Sequence, residues 1–192
     1  MTGAIRYRPT LRELDAELKR IRRRKNRFRW LKILLLLLAT AFVGGSYITN
    51  TFCTLMNVSG SSMEGTLRAG DVVVCQLNTQ TGRGDIVAFE RDGVLMLKRV
   101  IAVAGDQISI TVDGTVYLNG VAINEEYLTI AASSGGDVSY PLTIPEGKVF
   151  VIGDNRGESI DSRDSVLGLV SVSEIVGTVE ARVWPMDRAG SL

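Results

Sequence analysis

The chain has 192 residues, 45% of them hydrophobic, which is room for one compact domain with short appendages. It holds no histidine and only two cysteines, Cys53 and Cys75, so a triad built on imidazole, a Cys/His metal cage and a disulfide framework are all excluded. The net charge of +1 hides a split: residues 1–29 carry 11 Lys/Arg against 3 Asp/Glu, or +8, which leaves −7 for residues 30–192 and no nucleic-acid surface on the main domain.

Residues 1–29 read as a basic, partly helical arm. Leu11, Leu14, Leu18 and Ile21 recur at helical spacing, and Thr10 with Glu13 matches a capping box. The basic run would also be drawn to anionic lipid headgroups.

From Ile33 to Ile48 the only polar side chains are Thr40, Ser46 and Tyr47. A span of about 20 apolar residues crosses the hydrocarbon core, so residues 30–51 are expected to form one transmembrane helix. A cleaved signal peptide fits less well, because 29 mostly polar residues come first. Nine Lys/Arg and no acidic residue lie between Lys19 and Lys32, whereas the far side shows no charge until Glu64. The positive-inside rule then puts the N-terminus in the cytoplasm and the rest outside a plasma membrane.

Beyond residue 56 the pattern becomes short β-branched runs punctuated by Gly, Asp and Asn, which predicts a mainly β domain. Strands are expected at Asp71–Gln76, Asp85–Phe89, Leu95–Val103, Gln107–Val112, Thr115–Leu118, Lys148–Ile152 and Glu174–Val183. Cys75 reads as a small apolar strand residue rather than half of a bridge. Asp113-Gly114 and Asn119-Gly120 are hairpin turns. Residues 106–147, with Ser133-Ser134-Gly135-Gly136, read as an excursion between two parts of the core, 52–105 and 148–184. Residues 185–192 form a tail.

Three segments carry chemistry. Ser62 lies in Gly60-Ser61-Ser62-Met63-Glu64-Gly65-Thr66, beside a glycine that lets backbone N–H groups approach a substrate. Without histidine, its base must be a lysine. Lys98 lies on a strand whose alternation places Met96, Val100 and Ala102 on its own face, and apolar surroundings lower a lysine pKa toward use as a base. The bland readings are a turn serine and a strand lysine whose stem covers apolar surface. The third segment, Gly153 to Arg163, is too dense in Asp, Asn, Ser and Arg for a plain turn; there Asp154-Asn155 would turn the chain and Asp161 pair with Arg163.

Taken in order, these segments resemble the type I signal peptidases, membrane proteases that use serine and lysine. Ser62-Met63 with Gly65-Thr66-Leu67 is similar to the nucleophile box, and Gly84-Asp85-Ile86-Val87-Ala88-Phe89 to a core strand. Lys98-Arg99-Val100 with Gly105-Asp106 matches the base box, and Gly153-Asp154-Asn155-Arg156, Ser159, Asp161-Ser162-Arg163 and Gly168 match the last. The resemblance implies a coiled antiparallel β-sheet fold, shared with LexA-type repressors, behind the one N-terminal transmembrane helix. It implies Ser62 as nucleophile, Lys98 as general base, Ser159 as the hydroxyl that positions the lysine, and Asp161 with Arg163 as support. It also implies a groove lined by Val58, Met63, Leu67, Met96 and Leu97. That groove would take preproteins with small residues at positions −1 and −3, and neither metal nor cofactor is called for.

Two positions depart from the pattern. Gly65 replaces the usual proline, and Gly60 stands where many Gram-negative members have a serine. The oxyanion hole then rests on the Ser62 backbone N–H, with Ser61 or Ser59 as helpers. The short excursion and single anchor look more like Gram-positive members. The competing readings are a LexA-like autoprotease and an accessory factor in surface pilus assembly.

Overall fold

The computed structural model describes residues 11–128 and 135–192. Thr10 of the expected capping box and Ser133-Ser134 of the expected loop lie outside them. One helix, α1, runs from Leu11 to Phe52, through the basic arm and the apolar run without a break. No proline interrupts it, and its leucines and alanines are strong helix formers. Within it Lys25–Gly45 is long and apolar enough to cross a membrane, at a mean hydropathy of 1.7. The five consecutive leucines Leu34 to Leu38 are each more than half exposed. From Ile33 to Gly45 the helix carries no charge, and an exposed apolar stretch of this kind suits a bilayer better than water.

The rest of the chain is antiparallel β-structure, as its β-branched runs predicted. The strands are β1 (Cys53–Asn57), β2 (Val72–Leu77), β3 (Ile86–Arg91), β4 (Val94–Val103), β5 (Gln107–Ile110), β6 (Val116–Leu118), β7 (Val121–Ala122), β8 (Leu142–Thr143), β9 (Lys148–Ile152), β10 (Val170–Ser171), β11 (Ile175–Trp184) and β12 (Gly190–Ser191). The main sheet runs β1-β2-β11-β3-β4-β9-β10, with β12 on β11; β7-β6-β5-β8 form a second sheet, inserted in sequence between β4 and β9.

Central strands are covered on both faces, which is why they read as continuous apolar runs. In β9, Val149 and Val151 join Val87, Phe89, Val100 and Val170 on one side, while Phe150 and Ile152 pack with Ile108, Ile110 and Val116 on the other. Asn119-Gly120 joins Leu118 to Val121 with φ of 53° and 82°, a two-residue turn that wants Gly. Asp92-Gly93 does the same between β3 and β4.

Two expectations need correction. Ala102 does not share the face of Lys98: the β4–β9 register shifts between Val100 and Ala102, so Val100 packs in one cluster and Ala102 in the other. A one-residue bulge moves later side chains to the opposite face. Nor does the β-structure begin only beyond residue 56, for Cys53–Asn57 is already the edge strand β1. Its register sets Cys53 opposite Gln76 and Thr54 opposite Cys75, so the cysteines alternate to different faces and both are free. Burial pushes the Cys75 thiol up to about 11.

Candidate active site

The segment between β1 and β2 carries Ser62. It is closed at its base by Val58 N–H donating to Asp71 O at 2.8 Å and Gly70 N–H to Val58 O at 2.9 Å. A single turn follows the serine, with Leu67 N–H donating to Met63 O at 2.8 Å. Val58, Met63 and Leu67 are buried against Val73, Ile86 and Val179, which anchors the turn and leaves Ser62 half-buried. Gly60 has φ of +91°, a conformation that costs a side chain but not glycine.

Lys98 lies mid-strand in β4, opposite Val87 and on one face with Met96 and Val100. It is only 4% exposed. Burial is the main cause that lowers its pKa from 10.5 to about 8; Asp161 and Asp154 oppose the shift and Arg163 adds to it. At pH 8 about half of such an amine is unprotonated.

Ser62 and Lys98 line the same cavity, of about 290 Å³. One wall is the end of β1 and the loop after it, Met56 to Gly60, and the other is Val94 to Leu97 of β4. Across this stretch β4 pairs only with β3, because its pairing with β9 begins at Arg99. The cavity is therefore bounded by strand edge with backbone groups available to an extended peptide.

Residues 153–163 sit beneath. Asn155 N–H donates to Ser62 O at 3.0 Å and its Nδ2 to Ser61 O at 3.1 Å. Arg99 donates to both oxygens of Asp154, at 2.9 and 2.7 Å, and Thr66 Oγ1 donates to Asp154 Oδ2 at 2.6 Å. Arg163 makes the corresponding fork to Asp161, at 2.8 and 3.0 Å, and Asp161 accepts from Gly153 N–H at 3.0 Å. Gly153 itself is packed so closely that a Cβ would run into Ser159 Oγ and Ser62 O. Ser159 Oγ is buried and, among the described residues, has no hydrogen-bond partner.

Of the expected groove residues, Val58, Met63, Met96 and Leu97 line the cavity, whereas Leu67 is fully buried and does not. The Ser61 hydroxyl donates to Glu158 Oε2 at 2.6 Å. Met56, Asn57, Ser59, Gly60, Val94 and Leu95 also line the cavity and were not anticipated as groove residues. Met56 and Asn57 belong to β1, whose signal is masked by the apolar run before it, and Val94 and Leu95 open β4. The Arg99–Asp154 pair was missed because its members lie 55 positions apart.

A serine and a buried lysine on one cavity, with strand edge beside them and no imidazole in the chain, suit a peptidase of extended polypeptide. The family model described as signal peptidase, peptidase S26, matches residues 27–184, and the chain belongs to that family. It is 31% identical to signal peptidase I of Bacillus licheniformis, over 89% of this chain and 96% of the relative. It is 33% identical to signal peptidase I P of Bacillus subtilis subsp. natto, over 88% and 96%. A solved signal peptidase I from Enterococcus faecalis V583 is 33% identical and covers 52% of this chain and 97% of its own, with a TM-score of 0.45. The protein is thus a signal peptidase, and its substrates are secretory preproteins.

Proposed function

We propose that the protein is a membrane-anchored serine endopeptidase that removes N-terminal signal peptides, with Ser62 as nucleophile and Lys98 as general base. The observation that carries this is the shared cavity of Ser62 and a buried Lys98 in a chain without histidine. Neutral Lys98 takes the Ser62 hydroxyl proton as Oγ attacks the scissile carbonyl. The Ser62 backbone N–H stabilises the oxyanion. Lys98 then gives its proton to the departing amine of the mature protein, leaving the signal peptide esterified to Ser62. A water, deprotonated by Lys98, attacks the ester and regenerates the serine.

Ser159, buried and otherwise unpartnered, is the hydroxyl that orients Lys98, and the Asp161–Arg163 pair holds the backbone beneath it. Val58, Met63, Met96 and Leu97 narrow the cavity toward small side chains at positions −1 and −3. Residues 30–51 anchor the chain with the basic arm on the cytoplasmic side, held to anionic lipid, and the catalytic domain outside. An anchored enzyme meets a substrate whose own apolar segment lies in the same bilayer, which raises their effective concentration.

The test is incubation of the full-length protein, its Ser62→Ala variant and its Lys98→Arg variant with a labelled preprotein. A shortened product is expected from the unmutated protein alone, because guanidinium cannot serve as a base near neutral pH. Absence of product from the unmutated protein, or full activity in either variant, overturns the assignment.

A further inference from the structure

Gly153 and Asp154 are held by two arginines, and both arginines are held from one short stretch of chain. Arg156 Nε donates to Gly153 O at 3.2 Å, and Arg99 forks onto the Asp154 carboxylate. The stretch that reaches them follows β7 and precedes Leu128. From it Glu125 pairs with Arg156, the two side chains 8% and 1% exposed. Two residues on, the Tyr127 ring lies 4.1 Å from the Arg99 guanidinium carbon, and the Tyr127 hydroxyl donates to Glu125 Oε1. Neither Glu125 nor Tyr127 lines the cavity.

We propose that Glu125 and Tyr127 are positioning residues of the catalytic site, fixing Arg156 and Arg99 and through them the Gly153-Asp154 segment against which Ser62 and Ser159 rest. The proposal builds on the assignment of Ser62 and Lys98. Its chain of contacts is short. Glu125 and Tyr127 each touch one arginine, each arginine touches one residue of Gly153-Asp154, and Gly153 abuts both Ser62 O and Ser159 Oγ. A buried carboxylate–guanidinium pair fixes direction as well as distance, and a guanidinium over an aromatic face is held without blocking its fork. The connection that leaves β7 of the inserted second sheet therefore carries a brace on the site. Displacement of about 1 Å at a reacting group is enough to cost a hundredfold in rate, so a brace of this kind acts on turnover more than on substrate affinity.

Steady-state cleavage of a signal-peptide-derived peptide by full-length protein in detergent tests this, with kcat expressed per folded molecule from circular dichroism. Glu125→Gln and Tyr127→Leu are each expected to lower kcat about tenfold or more with KM within twofold. Tyr127→Phe, which keeps the ring over Arg99, should recover most of the kcat that Tyr127→Leu loses. The proposal is overturned if both Glu125→Gln and Tyr127→Leu keep kcat within twofold, if the loss falls on KM, or if Phe recovers nothing. Should Glu125→Gln fail to fold, the Tyr127 pair decides by the same criteria. Ser62→Ala, run alongside, separates the two readings: activity surviving in it removes the Ser62 assignment, whereas its inactivity with unaltered Glu125 and Tyr127 variants removes only the brace.

Discussion

Asn155 donates its backbone N–H to the carbonyl oxygen of Ser62 at 3.0 Å, so the last motif of the chain holds the peptide that follows Ser62. Ninety-three positions of sequence close into one hydrogen bond, and the groups around it fit without slack. Gly153, two residues before Asn155, has a φ outside the left-handed region, so its identity is set by space and not by backbone conformation.

Gly153→Ala is accordingly expected to fold yet to lose about tenfold to a hundredfold in kcat, because the new methyl group must displace Ser159 Oγ or the Ser62 carbonyl. Circular dichroism with steady-state kinetics on a peptide substrate checks it. A variant as active as the parent would mean that the contact is not held in solution.

As the proposed general base, Lys98 is expected to link activity to stability through pH. Its pKa of about 8 predicts that kcat/KM rises with pH and levels off above that value, as the free amine becomes the majority form. The same shift is a cost to folding. Between pH 8 and 10.5 the unfolded chain binds a proton that the folded chain does not, so stability rises with pH across this window and the full penalty stands below it. Lys98→Met, which fills the site without charge, should be inactive and more stable than the parent by about 3 kcal/mol at pH 7. The advantage should vanish above pH 10.5, where Lys98 is neutral in the folded and the unfolded chain alike. Paired urea titrations at pH 7 and pH 11 measure it, and a difference that does not change with pH would sink this account.

The mainly β domain, the apolar helix and most strands were legible because local pattern decides them: β9 was expected at Lys148–Ile152 and is found there. The edge strand β1 was not, since an uncharged run following an apolar helix carries no boundary signal of its own. The bulge in β4 was invisible for a different reason, because alternation is preserved in the sequence and broken only by pairing with β9. The missing histidine shows only that a serine nucleophile here would need a lysine; it is the resemblance of the motifs in order that implies Ser62 and Lys98. What surrounds them depends on contacts such as Arg99–Asp154 and Thr66–Asp154, set by tertiary structure.

Asp154 accepts from Arg99 twice and from Thr66 once, with 1% of its side chain exposed. Removing one partner of a buried pair leaves an uncompensated charge. Asp154→Ala is therefore expected to destabilise the protein by about 3–5 kcal/mol, against well under half of that for Thr66→Val, which leaves the ion pair intact. Urea unfolding of the two variants gives the comparison. Equal effects would show that the pair contributes no more than the hydroxyl.

The oxyanion hole is where this chain departs from the pattern it otherwise follows, since Gly60 supplies no hydroxyl and Ser61 turns its own toward Glu158. Loss of a true oxyanion donor costs about a hundredfold to a thousandfold in kcat. Ser61→Ala should cost less than about tenfold, because the backbone carbonyl of residue 61 still accepts from Asn155 Nδ2 and the lost bond is an exposed one. Gly60→Ser offers the complementary measurement. A Cβ there meets nothing within 4 Å, so the hydroxyl has room, but φ of +91° charges the backbone about 1 kcal/mol or more. A rise in kcat accompanied by a lower unfolding midpoint is the expected result. If instead Ser61→Ala loses a hundredfold and Gly60→Ser gains nothing, Ser61 is the side-chain donor, and its bond to Glu158 must open before the substrate is attacked.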